Sequence, residues 1–342
     1  VHRLLEEYVT LSMFFRVFAN WMKISILSLI IKPSIESFQP AGSKASLWPI
    51  LKNDWFCSLR GPDLINNLFY YELFNNSLKE IEKQKYGFVL YENQGQERIF
   101  SHLWHKHNHG KLVGIIHSTI RFWDLRFAGD FAKDSPTQPD LIVANGGVAL
   151  NQLKLSGHLV NKLVKGEALR YGYLNNIKKK NKDDSSFVNR ILVLGDYIDF
   201  DTNELMSLIS DTVSHFEMDV YIHFKPHPKY SIKSEDYPNL KIIFEEKNLE
   251  KILPKFNVVI ATNKTTASVE AYIAGLKIIV MLDKNDLNFS PLRGASEVSF
   301  VSSQDDLWRA LCKKKYVIKN DNLDYFYLDS NFKLWKKLLR DL

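Results

Sequence analysis

Cysteine is scarce in this sequence: Cys57 and Cys312 are the two among 342 residues. Two cysteines provide no disulfide framework, so we expect a reducing, cytoplasmic compartment. We recognise no signal peptide. The apolar segment 21–31 is shorter than the roughly 20 residues of a membrane span, and Lys23 interrupts it. It predicts a buried or amphipathic helix, with contact to a membrane interface as the alternative.

Sequence signatures of other nucleotide-binding classes are also missing. The C-terminal half has no Gly-x-Gly-x-x-Gly fingerprint, which disfavours an NAD or FAD dehydrogenase, and no Walker lysine loop exists, which disfavours a P-loop NTPase. There is no dense stripe of basic residues with interleaved aromatics, so we expect no nucleic-acid partner. A group of four histidines lacks cysteine or aspartate at ligand spacing, so we expect a solvated helix end and no metal site. These are His102, His105, His107 and His109.

The bulk composition fits a two-domain protein with anionic partners. A chain of 342 residues that is 45% hydrophobic and 25% charged is long enough for two domains of ordinary size. Its net charge of +6 favours a nucleotide, a phospholipid surface or an anionic acceptor as the partner.

Strand and helix patterns alternate in the N-terminal half, which we assign to a domain over residues 1–180. This alternation implies parallel βαβ units. The polar segment 175–186 has no apolar period, so we expect a solvated linker there. The predicted elements are strands at 86–91, 111–116 and 139–145 and a helix at 98–107.

The pattern restarts after the linker, and we assign residues 187–316 to a second domain and 317–342 to a helical tail. About six strands with intervening helices predict one doubly wound sheet. Asp201 and Glu204 have the spacing of a capping box at a helix start. The predicted strands are 190–195, 220–224, 240–244, 257–261, 277–282 and 298–301, and the predicted later helices are 305–313 and 331–342.

Two polar loops follow apolar strands in this second domain. In an open α/β sheet, ligands bind in loops at the carboxyl ends of the strands. The first loop carries Lys225 and His227, with Pro228 stiffening the backbone, and the second begins a helix whose N-terminal end would attract phosphate. Both loops together predict a nucleotide pocket, although the second could simply cap a helix. Its polar residues are Asn263, Thr265, Thr266, Ser268 and Glu270.

At these residues the chain resembles the donor half of bacterial surface-polysaccharide transferases. The likeness comprises the Lys-Pro-His-Pro run 225–228 and the Thr/Ser loop with Glu270 and Gly275 that follows. The group includes bacterial sialyl- and polysialyltransferases, Kdo-type transferases and CDP-glycerol polyol-phosphate transferases. The resemblance implies an α/β GT-B fold with two Rossmann-like domains facing a cleft, a CMP-linked sugar donor as substrate, and no cofactor or required metal. The sialyltransferase Ser-Ser pair is here Thr265-Thr266 with Ser268.

The N-terminal half is similar to a group of bacterial surface-carbohydrate biosynthesis proteins. The matching segments are 91–95, 117–126 and 167–172. This resemblance implies a glycan or lipid-linked glycan acceptor and a cytoplasmic location, with peripheral contact to the inner membrane as an extension.

Candidate catalytic groups follow from what glycosyl transfer requires. A carboxylate must deprotonate the acceptor hydroxyl or act as nucleophile, which points to Glu92 or Asp124. His227 could bind or protonate the leaving phosphate. Any one carboxylate could instead belong to a structural ion pair, and Glu167 with Arg170 could pair in the same way. The residues expected to contact an anionic acceptor or to assist catalysis are Glu97, His117, Arg121 and Arg126.

The sequence therefore predicts a glycosyltransferase of bacterial surface polysaccharide assembly that uses a CMP-activated nonulosonic or Kdo-like acid. Two enzymatic alternatives are a CDP-polyol phosphotransferase and a hexose transferase with UDP or GDP donors. The non-enzymatic alternative is a nucleotide- or glycan-binding module that has kept the fold. Slow donor hydrolysis without acceptor would distinguish the enzymes from the module.

Overall fold

The computed structural model describes residues 2–31, 38–39, 45–127, 135–177, 190–216, 220–283, 287–295, 297–313 and 324–342. The chain divides into two compact units. Unit 1 comprises Val1–Ile115 with Phe131–Ile142, and unit 2 comprises Ile116–Asp130 with Val143–Leu342. Unit 2 therefore includes segments that the sequence assigned to the N-terminal domain. The predicted boundaries near 180 and 187 fall on residues 178–189, outside the described residues, and so does most of the predicted linker.

Unit 1 begins with three helices, α1 (Leu11–Ile30), α2 (Trp48–Arg60) and α3 (Pro62–Glu80). Pro62 is the first residue of α3. Proline suits this position because it has no amide hydrogen, and the first amides of a helix have no acceptor within the helix. The Nε of Arg16 donates to Glu72 at 2.7 Å, and this bond ties α1 to α3. The sequence predicted an apolar segment at 21–31, whereas the helix begins ten residues earlier.

A four-stranded sheet with the order β1-β2-β3-β4 follows the helices. Its strands are β1 (Tyr86–Leu90), β2 (Lys111–Ile115), β3 (Leu141–Ala144) and β4 (Leu163–Lys165). β1 and β2 are parallel, as the helical crossover α4 (Gly95–Lys106) between them requires. α5 (Gly147–Leu155) lies between β3 and β4 in the chain. The sequence predicted the first three strands, and the three-residue β4 was too short to show a pattern.

A six-stranded sheet with the order β10-β9-β8-β5-β6-β7 forms the centre of unit 2. All of its strand pairs are parallel, which confirms the doubly wound prediction. The strands are β5 (Arg190–Leu194), β6 (Tyr221–Lys225), β7 (Lys241–Phe244), β8 (Val258–Thr262), β9 (Lys277–Met281) and β10 (Ser299–Val301).

Both faces of this sheet are buried, in two separate apolar clusters. Leu192 and Leu194 of β5 belong to one cluster, and Ile191 and Val193 belong to the other. Successive side chains of a strand point to opposite faces, so a strand covered on both sides must be apolar throughout. This is why the central strands appear in the sequence as unbroken apolar runs.

Five further helices of unit 2 follow β5 in the chain, and α6, α8 and α9 pack against strands of the sheet. They are α6 (Asp199–His215), α7 (Leu249–Ile252), α8 (Ala267–Ile273), α9 (Gln304–Cys312) and α10 (Lys333–Asp341). The predicted capping box at Asp201 and Glu204 is wrong, because α6 begins at Asp199 and its N-cap Ile198 accepts no side-chain bond. Asp201 instead pairs with the ammonium of Lys264 at 2.9 Å.

α10 is held by a carboxylate from a distant part of unit 2. The two oxygens of Glu167 accept the amide hydrogens of Leu334 and Trp335 at 2.7 and 3.0 Å. These amides belong to the first turn of α10, where no intrahelical acceptor exists. The suggested Glu167–Arg170 ion pair is therefore wrong, and Glu167 caps a helix.

Candidate functional site

The strand order of unit 2 defines one topological switch point, between β5 and β8. After β5 the chain moves outward to β6 and β7, then returns to β8 and moves the other way to β9 and β10. Loops that leave neighbouring strands in opposite directions open a crevice at their carboxyl ends, and open α/β sheets bind ligands there. The loops that follow β5, β6 and β8 are therefore the candidate site.

The loops after β5 and β6 touch through Gly195. The amide of Gly195 donates to the carbonyl of Lys225 at 3.0 Å. A Cβ atom at this glycine would lie 3.0 Å from the ring of Phe224 and 3.4 Å from the backbone nitrogen of His227. A larger side chain would press against the start of the His227 loop, so glycine permits the close approach of the two loops.

His227 is held in one orientation by its own loop. Its carbonyl accepts the amide of Tyr230 at 3.0 Å, and its Nδ1 accepts the amide of Lys229 at 3.2 Å. Because Nδ1 is the acceptor, the neutral ring carries its hydrogen on Nε2. The half-buried imidazole can then donate from Nε2 to an anion while neutral. Protonation of Nδ1 would break the bond from the Lys229 amide. Donation from Nε2 of the neutral ring keeps the loop intact, whereas the sequence suggested an imidazolium.

Lys225 is the last residue of β6, two positions before His227. Its ammonium donates to the carbonyls of Glu245 and Glu246, both at 3.1 Å, at the end of β7. The structure thus places Lys225 as a link between β6 and β7, and a phosphate contact requires its rotation away from these carbonyls. Pro228 is exposed beside His227.

The loop after β8 is shaped by its own polar side chains. Ser268 is fully buried and its hydroxyl donates to the carbonyl of Thr265 at 2.8 Å. Asn263 is also buried, and its amide donates to the carbonyl of Leu287 at 3.0 Å. Thr266 is the N-cap of α8 but makes no side-chain cap bond, which disfavours the alternative in which this loop simply caps the helix. Thr265 and Thr266 are the half-buried hydroxyls of this loop.

Glu270 is buried in α8, next to a tyrosine hydroxyl that donates to it. The phenol of Tyr173 donates a short hydrogen bond to its carboxylate. Burial raises the pKa of Glu270 above its ordinary value, and the Tyr173 bond and the charge of Arg170 oppose this rise. Burial also raises the pKa of Tyr173, so the phenol keeps its proton. One carboxylate is thus oriented by a donor on a separate element.

A buried aspartate that sequence analysis missed joins the two sides of the switch point. Asp196 follows β5 and is 1% exposed, and its carboxylate accepts the hydroxyl of Thr262 at the end of β8. Its backbone amide donates to Thr202 of α6 at 2.9 Å. These bonds fix the loop after β5 against β8. Its position directly after an apolar strand and a glycine was the signal that could have identified it.

The segment 116–127 packs against the loop after β8 within unit 2. The guanidinium of Arg121 donates a short hydrogen bond to the carbonyl of Lys264. Arg293 lies 4.0 Å from the ring centre of Phe122 and 5.4 Å from that of Trp123, both within cation–π range. Arg121 is therefore brought to the candidate site, where it supports the loop backbone.

Asp124 and Arg126 form a local ion pair. The guanidinium meets both carboxylate oxygens, at 2.8 and 2.7 Å. This ion pair favours a structural role for Asp124 over a catalytic one, because a carboxylate paired with a guanidinium is a poor base. The fork of Arg126 is also occupied, which weakens its predicted contact with the acceptor. His117 is half-buried just beyond β2.

Glu92 lies in the loop after β1 in unit 1, and Glu97 lies in the first turn of α4, which follows this loop. An oxygen of Glu97 accepts the amides of Glu92 and Gln94 at 2.7 and 3.3 Å, as in a capping box at the start of α4. Burial raises the pKa of Glu97. Glu92 is half-buried and accepts from the side-chain amide of Gln94 at 2.7 Å. Asn93, between them, has a φ of 57°, so the backbone turns sharply here in the left-handed region.

The four histidines of the 102–109 region have separate surroundings. His105 contacts Asp140 at 3.2 Å, His107 contacts Asn75 at 3.1 Å, and His109 contacts the carbonyl of Leu78 at 2.9 Å. Within the described ranges, no three His, Cys, Asp or Glu side chains lie together in a group that could hold a metal ion.

Comparison with solved structures identifies the fold. UDP-GlcNAc 2-epimerase from Methanocaldococcus jannaschii, solved in complex with UDP-GlcNAc and UDP, is similar with a TM-score of 0.50 and 15% identity over 80% of this chain and 82% of that chain. A candidate UDP-N-acetylglucosamine 2-epimerase from Listeria monocytogenes has a TM-score of 0.50 and 12% identity, covering 71% of this chain and 70% of that chain. No protein-family model matches the chain, and no curated protein matches its sequence.

These likenesses, with the two parallel sheets, confirm the predicted α/β GT-B fold with Rossmann-like halves. At such low identity they establish the fold and not the reaction.

Proposed function

We propose that this chain is a nucleotide-sugar-dependent glycosyltransferase of bacterial surface-glycan assembly. The observation that carries the proposal is the meeting of three loops at the β5–β8 switch point, with an oriented histidine at its edge. His227 offers Nε2–H as a donor, and Gly195 lets its loop approach the carboxyl end of β5. An anionic diphosphate or monophosphate is the ligand that such donors and a net charge of +6 favour.

Each polar group of the site has a role in this proposal. His227 and the hydroxyls of Thr265 and Thr266 bind the nucleotide phosphate. Glu270, oriented by Tyr173, accepts hydrogen bonds from the ribose hydroxyls. Asn263 and Ser268 shape the loop from its buried side. When the bond between the anomeric carbon and the phosphate oxygen breaks, that oxygen takes the electron pair, and donation from His227 Nε2 stabilises the charge that develops there.

Glu92 is the proposed general base in unit 1. It would remove the proton of the acceptor hydroxyl as that oxygen forms its bond to the anomeric carbon. Glu92 is preferred over Asp124 because Arg126 binds both carboxylate oxygens of Asp124. Glu97 is occupied by two amides.

The donor is proposed to be a CMP-linked nonulosonic or Kdo-like acid, on the resemblance of the Lys-Pro-His-Pro and Thr/Ser loops to that group. The acceptor is a glycan or a lipid-linked glycan, and the proposed location is cytoplasmic. A second candidate is a UDP-sugar enzyme, because the Methanocaldococcus jannaschii protein that shares the fold was solved with UDP-GlcNAc and UDP.

A panel of donors distinguishes these functions. The full chain is incubated with CMP-linked sialic acid and Kdo, UDP-GlcNAc, GDP-mannose and CDP-glycerol, and the products are followed by NMR. A CMP-sugar transferase should slowly release CMP and free sugar by transfer to water. Conversion of UDP-GlcNAc to its C2 epimer would instead establish the second candidate. Absence of turnover with every donor, despite nucleotide binding, would show a binding module.

A further inference from the structure

The first long helix of unit 1 has a broad apolar face that no described element covers. α1 is 20 residues long, and in its hydropathy and length it could cross a membrane, yet only 17% of its most apolar window is buried. The exposed fractions on the outer face are high: Leu11 83%, Phe15 77%, Phe18 61%, Ile26 54%, Leu29 69% and Ile30 75%. Scattered exposed apolar residues are ordinary, but a contiguous stripe of this length marks an interaction surface.

The stripe has the geometry of one continuous helix face. At 3.6 residues per turn, these six positions span an arc of roughly 120°, and the less exposed Phe14 and Leu27 widen the apolar arc to roughly 220°. The buried positions Met13, Val17 and Ser28 lie on the opposite side. The seam of a two-helix coiled coil is narrower than this arc, so a broad planar partner fits the face better than a second helix does.

The inner side of α1 is fastened to the rest of unit 1 by polar bonds. Arg16 donates to the buried Glu72 of α3 at 2.7 Å. The indole of Trp21 donates to the carbonyl of Arg60 at 2.9 Å, and Arg60 donates to the hydroxyl of Ser28 at 2.6 Å. These bonds hold α1 along the surface of unit 1, an arrangement that favours binding in the plane of a bilayer over crossing it.

The charged residues of α1 and α2 are mostly positive, with Arg16 paired to Glu72 and with Glu6 and Glu7 in the turn that precedes α1. α1 contains Arg16 and Lys23 and no acidic residue. α2, which is bonded to α1, contains Lys52 and Arg60 with Asp54 as its acidic residue. Phenylalanine and leucine on one face with lysine and arginine at the margin is the composition of helices that bind in the plane of an anionic membrane surface.

We propose that α1 docks in the plane of an anionic lipid bilayer, with Phe15, Phe18 and the flanking aliphatic side chains inserted among the headgroups. Lys23 then lies at headgroup level, and the remainder of unit 1 stays in the aqueous phase. This inference rests on the exposed face, the charges beside it and the bonds that hold α1, and it does not depend on the proposed reaction.

Vesicle sedimentation with the full chain tests this proposal. Vesicles of phosphatidylcholine alone are compared with vesicles that contain phosphatidylglycerol, at low and high salt. We expect binding to the anionic vesicles that weakens as salt rises. The double variant Phe15→Ser/Phe18→Ser should lower the partition coefficient at least about tenfold, because two apolar side chains no longer leave water. Lys23→Gln should reduce the preference for phosphatidylglycerol.

Leu155→Ser/Leu339→Ser is the matched control, since these leucines are 81% and 57% exposed outside α1. It should bind vesicles like the wild type, and both variants should retain the wild-type circular dichroism spectrum. No wild-type binding to anionic vesicles would overturn the proposal, as would equal binding by the phenylalanine variant. Self-association that the phenylalanine variant abolishes, without vesicle binding, would show that the face belongs to a second copy. Resistance of the bound protein to alkaline carbonate extraction would show a crossing helix and also overturn it.

Discussion

His227 shows how a single residue can be prepared for a ligand. Prolines on both sides limit its backbone, and the amide of Lys229 holds its Nδ1. The ring therefore loses little freedom when it binds, and its Nε2–H is the donor that a phosphate would meet. At the same scale, Glu270 is oriented by Tyr173, and Asp196 by Thr262.

The first prediction concerns His227→Ala. The variant should weaken nucleotide binding by about 1.5–3 kcal/mol, the usual value of one hydrogen bond to a charged group, and should lower turnover. Isothermal titration with the preferred nucleotide measures the change. His102→Ala, a half-buried histidine of α4, is the matched control and should bind like the wild type. Unchanged affinity and turnover in a folded His227→Ala protein would remove this residue from the site.

The second prediction concerns pH and Glu270. Below the ordinary carboxyl pKa, the folded and unfolded states both carry the proton. As pH rises, the unfolded chain releases its proton first, because burial raises the pKa of Glu270 in the folded protein. Stability therefore falls with pH between the ordinary pKa and the raised one, and the loss is complete above it.

Glu270→Gln cannot ionise and should not show this loss. Urea unfolding of both proteins from pH 4 to 7.5 should find the wild type losing stability relative to Glu270→Gln as pH rises. A difference between the two proteins that is independent of pH would mean that Glu270 ionises normally in the folded state.

The third prediction separates the two candidate carboxylates. Glu92→Gln keeps the shape and can still accept the bond from Gln94, but it cannot take a proton. Turnover should fall at least about 100-fold, the usual scale for loss of a general base, while nucleotide affinity stays near wild type. Asp124→Asn should be far less damaging, because Arg126 already neutralises this carboxylate. The opposite ranking in steady-state assays would exchange their roles, and two active variants would direct attention to Glu97 and His117.

At the scale of elements, apolar runs identified the strands well and helix ends poorly. The central strands of unit 2 are buried on both faces, so their sequence is continuously apolar and their bounds differ from prediction by at most one residue at either end. The helices α2 and α3 were not predicted from the sequence. In α3, Glu72 points inward and bonds to Arg16, so the apolar residues of this helix do not follow a regular helical period. Side-chain capping of α8 was an alternative interpretation of its polar loop, but Ser268 donates to a carbonyl instead.

The fourth prediction tests one such element contact. A Cβ atom on Gly146, the N-cap of α5, would lie 1.9 Å from the carbonyl oxygen of Tyr325. Gly146→Ala should therefore destabilise unit 2 by about 1–3 kcal/mol, the usual cost of overpacking, and loosen the segment at 324–328. Gly172→Ala is the matched control, because its Cβ would meet no atom within 4 Å. Equal denaturation midpoints for the two variants would contradict this packing.

At the scale of the whole molecule, the strand order identified a site loop that local sequence patterns did not. The loops after β6 and β8 were predicted as site loops from their polar residues. The loop after β5, with Asp196, was missed because its importance comes from the reversal of strand order between β5 and β8. Lys225 was predicted to bind phosphate, yet carbonyls at the end of β7 hold it. Such side-chain choices depend on neighbours that are distant in sequence.

The central claim is that a nucleotide binds at the carboxyl ends of β5, β6 and β8. A crystal structure of the full chain soaked with CMP tests it most directly. We predict the phosphate within hydrogen-bond distance of His227 Nε2 and of the hydroxyls of Thr265 or Thr266, with the ribose hydroxyls at Glu270. A nucleotide bound away from these three loops, or no bound nucleotide at a saturating concentration, would contradict the account.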